Sequence, residues 1–306
     1  MKVFVSGASG FVGQALCAQL NTLGHEAFPV GRRVSGAVAP AHSSDFWVTP
    51  LSCAEVVVHL AARVHVMDDR AGDPLDEFRA ANVGATVELA YKAANAGVRR
   101  FVFLSSVKVL GEEGTFSELS QPAPVDAYGQ SKWEAELALR EVAKQTGLEV
   151  VVIRPPLVYG PGVRANFLRL IRTVRRGTPL PFGLVENHRS LVYLGNLVSA
   201  IIACLAHPSA AGKTYLVSDG EDISTPELIR RLAAALQAPA RLIPLSPALM
   251  KLGGTLIGRG REMERLLGSL VVDSHVIRRD LDWSSPYSMA QGLQATADWY
   301  CGSTDK

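Results

Sequence analysis

A glycine-rich turn directly after the first apolar segment is the feature that most constrains the fold of this chain. Residues 2–6 have the composition of a buried strand, and Gly7, Gly10 and Gly13 follow them. A strand, a tight glycine turn and a helix start in this order are typical of a dinucleotide-binding unit, in which the helix N-terminus binds a pyrophosphate. We therefore predict that Gly7 permits the turn and that Gly10 lets the backbone approach the pyrophosphate, while Gly13 permits close packing of helix and strand.

Short apolar segments alternate with longer amphipathic segments through the first two-thirds of the chain. Buried parallel strands are predicted at residues 2–6, 26–30, 55–60, 100–105 and 149–154, because these segments are short and nearly continuously apolar. Helical spacing is found at residues 10–23, 75–96 and 125–145, and Gly97 and Gly147 follow the last two as stop signals. The alternation predicts an α/β fold with a Rossmann-type doubly wound parallel sheet.

The pattern becomes less regular in the C-terminal half. Helices are predicted near residues 164–176, 196–206, 225–237, 247–257 and 288–301, and short strands at 190–193 and 214–217. We assign residues 1–160 to a Rossmann domain that binds a dinucleotide, and residues 161–306 to a smaller C-terminal α/β lobe that binds substrate. Residues 197–206 are apolar enough to pack back on the first domain.

Composition and charge argue against several classes of protein. The 31 basic and 29 acidic residues are too evenly balanced for a dedicated nucleic-acid-binding protein. The longest apolar run, 197–206, is about half of the ~20 residues that span a bilayer, and the N-terminus leaves no room for a signal peptide. We therefore expect a cytoplasmic protein with no nucleic-acid or membrane partner. The widely spaced cysteines predict reduced, mostly buried thiols and no metal site: Cys17, Cys53, Cys204 and Cys301.

The end of the second predicted strand indicates which dinucleotide binds. An NAD site places an acid there for the ribose 2′-hydroxyl, whereas this strand ends in Gly31-Arg32-Arg33. Guanidinium groups bind a 2′-phosphate through paired hydrogen bonds, so the sequence favours NADP(H) over NAD(H). Two solvated surface arginines are the alternative interpretation. Asp45, after a possible third strand, is a further candidate for holding the adenine.

A tyrosine and a lysine are spaced to share one face of the third predicted helix. Tyr128 and Lys132 are four residues apart. A cation beside a phenol lowers the pKa of the tyrosine, which makes it an acid/base near neutral pH. Ser105 and Ser106 end the strand at 100–105, and the carboxyl ends of parallel strands face the ligand crevice. A serine hydroxyl there can polarise the oxygen that Tyr128 protonates.

Further motifs accompany these residues and carry a resemblance to a known family. They are the glycine turn Gly7-Ala8-Ser9-Gly10-Phe11-Val12-Gly13, then His59-Leu60-Ala61-Ala62, Asn82, Ser105-Ser106 with Gly111, Tyr128 with Lys132, and Arg154-Pro155-Pro156-Leu157-Val158-Tyr159-Gly160-Pro161. Together they make the chain resemble an extended short-chain dehydrogenase/reductase of the nucleotide-sugar type, in the epimerase/dehydratase superfamily. The resemblance covers essentially all 306 residues.

The resemblance implies hydride transfer at a sugar carbon. Tyr128 would be the acid/base, Lys132 would bind the phenol and the nicotinamide ribose, and Ser106 would bind the substrate oxygen. Counted back from Gly111, Ser106 rather than Ser105 occupies the catalytic serine position. Together with the arginines and Asp45, the implied cofactor contacts are Gly7, Ser9, Gly10, Phe11, Val12, Gly13, Arg32, Arg33, Asp45, Leu60, Ala61, Ala62, Asn82, Ser105, Tyr128, Lys132 and Pro155.

The same resemblance implies substrate contacts in the second lobe. Asn166 matches a residue that holds the substrate diphosphate, and Arg189 matches an arginine that binds it electrostatically. Arg265 is assigned as a second cation, and the spacing to Asp273 leaves Arg261 as its alternative. Proteins of this type often form homodimers through the helix that carries the tyrosine and the helix before it. The full set of predicted substrate contacts is Ser106, Lys108, Tyr128, Asn166, Arg189 and Arg265.

Three reactions share this scaffold, and the residues beside Ser106 separate them. The 4,6-dehydratases carry Asp-Glu directly after the catalytic hydroxyl, to remove the C5 proton and expel the C6 hydroxyl. Val107 and Lys108 occupy these positions here, which argues against dehydration. Epimerases oxidise and re-reduce C4 with a bound NAD, whereas reductases consume NADPH. The paired arginines therefore favour a reductase.

The strings at 61–67 and 105–109 also resemble a bacterial subgroup that includes 4-ketoreductases. We therefore predict an NADP(H)-dependent reduction of the 4-keto group of a UDP-4-keto-6-deoxy-hexosamine in bacterial polysaccharide (O-antigen) biosynthesis. The first alternative is a UDP-hexose 4-epimerase that acts on UDP-glucose or UDP-N-acetylglucosamine. The second alternative is a non-catalytic NADP(H) sensor, against which the presence of Ser106, Tyr128 and Lys132 argues.

Overall fold

A computed structural model of the protein describes residues 1–31, 48–64, 74–256, 258 and 260–304. The described strands, in chain order, are β1 (Lys2–Ser6), β2 (Glu26–Val30), β3 (Val56–His59), β4 (Arg100–Leu104), β5 (Gly114–Phe116), β6 (Glu149–Arg154), β7 (Leu157–Tyr159), β8 (Arg189–Tyr193), β9 (Thr214–Leu216), β10 (Asp222–Ile223) and β11 (Leu270–Val272).

The described helices alternate with these strands. They are α1 (Phe11–Thr22), α2 (Val48–Ser52), α3 (Pro74–Arg79), α4 (Ala85–Asn95), α5 (Ala127–Thr146), α6 (Ala165–Arg175), α7 (Leu194–Ala206), α8 (Thr225–Ala235), α9 (Pro247–Leu256), α10 (Gly260–Leu267), α11 (His275–Leu281) and α12 (Met289–Thr304). The helix predicted at 75–96 is interrupted, because the π-helical turn Ala80–Gly84 joins α3 to α4.

The larger sheet confirms the predicted α/β fold class. Its spatial order is β2-β1-β3-β4-β6-β9, and every neighbouring pair is parallel. The chain runs from β1 outward to β2 on one side and through β3, β4 and β6 on the other. The order therefore reverses between β1 and β3, which is the point at which open α/β sheets bind ligands beyond the carboxyl ends of their strands.

Helices cover both faces of this sheet because its strands bury side chains in both directions. Val3 packs in a cluster with Leu16 of α1 and Ile201 of α7, whereas Phe4 packs on the opposite face with Leu139 of α5. All five side chains are fully buried. This two-sided burial explains why the strands are nearly continuous apolar runs and not alternating ones.

A smaller sheet has the order β10-β8-β11-β5. The strand β7 pairs with residues 191–193 of β8, beyond the residues that pair with β10 and β11. Three short strands pair across the border predicted at residue 160, and one of them is β7, which pairs with β8. The strand β5 lies in the smaller sheet, and the strand predicted at 214–217 is β9 of the larger sheet and not a strand of the smaller lobe, because it pairs with β6. The assignment of 161–306 as a substrate lobe stays a prediction.

Three further observations concern membrane spans, metal ligands and cysteines. Across the described residues, no helix combines the length and the apolar character that crossing a membrane requires. The same residues contain no cluster of three or more metal-ligating His, Cys, Asp or Glu side chains. The four cysteines are free thiols, but the prediction that they are mostly buried is wrong. Cys204 is buried, Cys17 and Cys301 are partly exposed, and Cys53 is exposed.

Candidate active site

The glycine turn lies at the switch point between β1 and β3. Gly7 has a φ of +73°, and a Cβ there would lie 2.7 Å from the amide nitrogen of Ala61. Gly7 therefore permits both the turn and the close approach of the segment after β3. At Gly13 a Cβ would lie 2.2 Å from the Gly7 carbonyl oxygen, so the close packing predicted for Gly13 is made with the turn itself rather than with a strand.

The N-terminus of α1 has backbone amide groups available to bind an anion. Gly10 is its N-cap, no side chain caps the helix, and the first turn contains no acidic residue. The amide groups of a first helical turn lack partners within the helix and form the positive end of its dipole. Ser9, Phe11 and Val12 are partly or fully exposed beside this end. A dinucleotide pyrophosphate fits this arrangement.

The close approach at Gly7 can be separated from its backbone strain. Gly24 has a φ of +74° with nothing within 4 Å of its Cβ position, so Gly24→Ala adds strain alone. We expect Gly24→Ala to lower the free energy of unfolding by about 1 kcal/mol and to leave dinucleotide binding unchanged. Gly7→Ala should cost an additional ~1–3 kcal/mol from overpacking and weaken dinucleotide binding. Equal effects of the two substitutions on unfolding and binding, measured by denaturant titration and fluorescence, would contradict this role.

The residues predicted to select the dinucleotide lie outside the described residues. These are Arg32, Arg33 and Asp45, and the preference for NADP(H) over NAD(H) stays a prediction. The structure places Gly31 next to the turn, since a Cβ at Gly31 would lie 2.8 Å from the Ser9 hydroxyl oxygen. The end of β2 is therefore adjacent to the glycine turn, where a bound ribose would need it.

A buried chain of hydrogen bonds fixes the segment that contains Leu60, Ala61 and Ala62. The Ala61 amide lies 3.4 Å from Ser6 Oγ, Ser6 Oγ lies 2.5 Å from His59 Nδ1, and His59 Nε2 lies 2.9 Å from Thr86 Oγ1. Burial, and secondarily the charge of Lys132, lowers the pKa of His59 to about 3. Because Thr86 donates its proton to the Asn82 carbonyl, neutral His59 donates from Nε2 and accepts from Ser6 at Nδ1.

Asn82 joins this segment to the helix that carries the tyrosine. Its side chain accepts the Arg63 amide proton at 2.7 Å, donates to the Arg63 carbonyl at 3.1 Å and donates to Ser131 Oγ at 3.0 Å. Ser131 in turn donates to the Tyr128 carbonyl. Asn82 lies in the π-helical turn, a distortion that is frequent at functional sites. The predicted cofactor residue is therefore a structural link as well, and Ser131 was missed by the sequence analysis.

The structure brings the predicted catalytic residues together at the carboxyl end of β4. Ser106 directly follows this strand region, and its hydroxyl forms a hydrogen bond with the half-buried phenol of Tyr128. Lys132 Nζ donates to the Leu104 carbonyl at 2.8 Å and lies 4.4 Å from the centre of the Phe103 ring. The spacing of Tyr128 and Lys132 on α5 thus directs both side chains toward β4.

The electrostatics of these residues differ from the expectation. Burial, together with the charge of Asp126, raises the pKa of Tyr128 to about 12, and the hydrogen bond from Ser106 only partly opposes this. Burial lowers the pKa of Lys132 to about 7, against the opposing charge of Glu136. The predicted lowering of the Tyr128 pKa by Lys132 is therefore wrong, since desolvation dominates and the lysine is itself only partly charged near neutral pH.

Ser105 belongs to a buried ion pair behind the site. Its hydroxyl donates to Glu136 Oε1 at 2.5 Å, and Glu136 accepts two hydrogen bonds from Arg154, at 2.5 and 3.0 Å. The Ser105 hydroxyl is therefore committed to Glu136, and the cofactor contact of Ser105 stays a prediction. Pro155 is buried, and its carbonyl accepts the Val107 amide proton and so holds the turn after Ser106.

Lys108 packs against the start of α5. Its Nζ lies 2.5 Å from Asp126 Oδ2 and 3.4 Å from Glu112 Oε1. Its carbonyl oxygen would lie 2.7 Å from a Cβ at Gly129, so the glycine after Tyr128 permits this contact. The predicted contact of Lys108 with substrate stays a prediction, and in this structure its ammonium is bound by two carboxylates.

The predicted substrate residues of the second lobe occupy two places. Arg189 Nη1 donates to the carbonyls of Arg265 and Gly268, at 2.6 and 3.1 Å, and burial lowers the pKa of Arg189 despite the charges of Glu113 and Glu112. Arg265 Nε pairs with Glu112, so the structure brings these two arginines together. Asn166 is exposed in the first turn of α6. The side chain of Arg261 lies outside the described residues.

Comparisons with known proteins agree with this geometry. A model of the NAD dependent epimerase/dehydratase family matches residues 3–218. A UDP-glucose 4-epimerase of Vibrio cholerae is 43% identical over 312 residues, which cover 97% of this chain and 94% of the relative.

Two solved structures show the same fold. MoeE5 in complex with UDP-glucose and NAD has a TM-score of 0.80 at 26% identity, over 99% of this chain and 100% of that chain. The UDP-glucuronic acid 4-epimerase of Bacillus cereus in complex with NAD has a TM-score of 0.81 over 99% of both chains. Its 21% identity supports the fold alone.

Proposed function

This chain belongs to the NAD dependent epimerase/dehydratase family, and we propose that it is a nucleotide-sugar 4-epimerase that acts on a UDP-hexose. The observation that carries the proposal is the pairing of the Ser106 and Tyr128 hydroxyls beside Lys132, at the edge of the sheet where the glycine turn lies. The 43% identity to the Vibrio cholerae UDP-glucose 4-epimerase over nearly the full length of both chains supports the choice of this reaction over the 4-keto reduction predicted first.

A nicotinamide dinucleotide fits the site, because the glycine turn and the uncapped N-terminus of α1 leave room and hydrogen-bond donors for its pyrophosphate. Bound there, it would supply reversible hydride transfer to and from the sugar C4. Tyr128 takes the proton of the C4 hydroxyl when that carbon is oxidised and returns it to the C4 oxygen on reduction. Ser106 holds the same oxygen through its hydroxyl, which already pairs with the phenol.

Lys132 supplies the charge that this proton transfer needs. Its pKa of about 7 leaves it partly charged near neutral pH, and the charged form stabilises the phenolate form of Tyr128. The side chains at 107 and 108 supply no carboxylate, since Val107 is buried and Lys108 is a cation. Dehydration at C5 and C6 therefore lacks its acid and base.

A 4-ketoreductase is the second candidate. The observation that favours it is the sequence Gly31-Arg32-Arg33, where an NAD site would place an acid. A reductase of this kind would be NADP(H)-dependent and would use Tyr128 only as a proton donor to the C4 oxygen. The same Ser106 and Lys132 would serve it, so the two candidates differ in cofactor and in net redox change.

The two candidates give different products in one experiment. The purified protein is incubated with UDP-glucose or UDP-N-acetylglucosamine without added nucleotide, and the C4 epimer is followed by chromatography. In parallel, NADPH absorbance is followed with a UDP-4-keto-6-deoxy sugar. We expect the epimer to form with no net loss of nicotinamide, and NAD to be released from the denatured protein.

Stoichiometric oxidation of NADPH by the keto sugar, without epimer formation, would replace the epimerase by the ketoreductase. The variant Tyr128→Phe is the control in both assays, because a contaminating enzyme would remain active in its preparation. Turnover in neither assay would count against both candidates.

A further inference from the structure

Lys108 lies at the centre of a chain of ion pairs that runs from the start of α5 to α10. Its ammonium contacts Asp126 at 2.5 Å and Glu112 at 3.4 Å, and Glu112 also pairs with Arg265 on α10. The side chains of Lys108, Asp126 and Glu112 are 25%, 22% and 16% exposed. Charges this far removed from solvent are screened less by salt than surface pairs are.

Asp126 has two effects on the helix that carries Tyr128. Its Oδ1 accepts the Gly129 amide proton at 2.7 Å and so caps α5. Its negative charge also raises the pKa of Tyr128, second only to burial. Partial burial of Asp126 raises its own pKa, but hydrogen bonds from Lys108 and from the Gly129 amide outweigh this and lower it overall. Asp126 is therefore an anion that Lys108 partly neutralises.

The backbone of Lys108 contacts the same site. Its amide donates to Ser106 Oγ at 3.3 Å, and its carbonyl oxygen packs against Gly129. The backbone amide of Lys108 therefore contacts Ser106 itself, the partner of the Tyr128 phenol. Its ammonium contacts the carboxylate of Asp126, which caps α5 and lies two residues before Tyr128.

We propose that Lys108 is a positioning residue, which acts on Tyr128 by neutralising the capping carboxylate of Asp126 and by holding Ser106. The inference rests on the proposed function, because it takes Tyr128 as the group that transfers the proton. A lysine at this position then has a purpose other than substrate binding. Through Glu112, the same ammonium connects the acid/base to Arg265 in the second lobe.

Among the residues that the structure describes, the other groups that face Tyr128 do not duplicate this effect. Ser106 donates a hydrogen bond from the loop after β4, and Phe78 of α3 presents its ring edge-on, with centroids 6.4 Å apart. Lys132 lies one turn further along α5 and is bound to the Leu104 carbonyl. Around Asp126, the cations are Lys108 and, at longer range, Arg265. Lys108 is thus the cation in hydrogen-bond contact with the carboxylate that acts on the phenol.

Charge-changing variants that preserve shape test the proposal. Lys108→Met removes the ammonium, and Asp126→Asn removes the carboxylate charge while asparagine retains the N-cap. The pKa of Tyr128 is read from the pH dependence of kcat/KM and, independently of substrate, from the ultraviolet absorbance of tyrosinate, as the difference from the same variant carrying Tyr128→Phe. Lys144→Met is the matched control, because Lys144 lies on the same helix in an exposed pair with Glu141.

We expect Lys108→Met to raise the pKa of Tyr128 by about one pH unit and Asp126→Asn to lower it by a similar amount. The double variant should behave as Asp126→Asn alone, since the ammonium acts through the carboxylate. Lys108→Arg should restore the profile of the unmodified protein, and Lys144→Met should leave it unchanged.

Several outcomes would overturn the proposal. Shifts of equal sign in the two single variants, or additive shifts in the double variant, would show that Lys108 does not act through Asp126. A raised KM for the nucleotide sugar with an unchanged pKa would make Lys108 a substrate-binding residue. A lower unfolding temperature with an unchanged pKa would leave it a structural role only. Absence of turnover with every nucleotide sugar would count against the proposed function, while the tyrosinate titration would still decide this inference.

Discussion

Replacing Tyr128 by phenylalanine should lower kcat/KM by about 10²–10⁴-fold, because the substitution removes the group that gives and takes the proton at the C4 oxygen. The ring itself is retained, so its edge-on contact with Phe78 should persist. Dinucleotide binding should change little, since the glycine turn and the start of α1 are untouched. The measurement is steady-state kinetics, together with dinucleotide binding followed by fluorescence.

Tyr91→Phe is the matched control for this substitution. The Tyr91 hydroxyl of α4 donates at 2.6 Å to Gln145 in the last turn of α5, whereas Tyr128 lies in the first turn of that helix. The Tyr91→Phe variant loses one exposed hydrogen bond, and we expect its kcat/KM to equal that of the unmodified protein. A Tyr128→Phe variant that turns over as fast as Tyr91→Phe would remove Tyr128 from the reaction.

Elements of the larger sheet were predicted closely from the sequence. Strands β1, β2 and β6 have the predicted bounds, and β3 and β4 lie within the predicted segments. Strands β1, β3, β4 and β6 are buried on both faces, so each leaves a continuous apolar run that periodicity detects, whereas the edge strand β2 is only partly buried. Gly97 and Gly147, predicted as stops, have φ values of +81° and +77°, which places them in the left-handed region that ends helices.

Elements of the smaller sheet could not be predicted in this way. Strands β5, β7, β10 and β11 contain only two or three residues each, too few for any period to show. The strand β11 pairs with β5 across more than 150 residues of sequence, and Leu270 meets Gly114 there. Such pairing depends on how two distant segments are brought together, which local composition does not encode.

The site residues that could be predicted are those identified by a short stretch of sequence. The spacing of Tyr128 and Lys132 follows from helix geometry, and Ser106 follows from the end of a strand. The prediction of a lowered Tyr128 pKa was wrong, because desolvation depends on everything packed around a group and outweighs the effect of one neighbour. For the same reason the ion-pair chain through Lys108 appears only when Asp126 and Glu112 have been placed around it.

Glu136→Gln should lower the free energy of unfolding by about 3–5 kcal/mol, which is the usual cost of leaving one partner of a buried ion pair without the other. Glu136 is fully buried and Arg154 is 3% exposed, so solvent cannot replace the lost partner. The Ser105 hydroxyl would also lose its ionised acceptor. Denaturant unfolding measures the loss. The matched control is Glu141→Gln on the same helix, whose pair with Lys144 is exposed and which should change stability by less than about 0.5 kcal/mol.

A double variant separates the charge from the packing of this pair. Glu136→Gln with Arg154→Met removes both charges, and it should be more stable than either single variant, because no unpaired ion stays buried. Activity should not recover with stability. The negative charge of Glu136 opposes the lowering of the Lys132 pKa, so without it Lys132 is neutral over more of the pH range and cannot stabilise the Tyr128 phenolate. A double variant that regains stability and full kcat/KM together would show that Glu136 holds the fold and does nothing for the charge of Lys132.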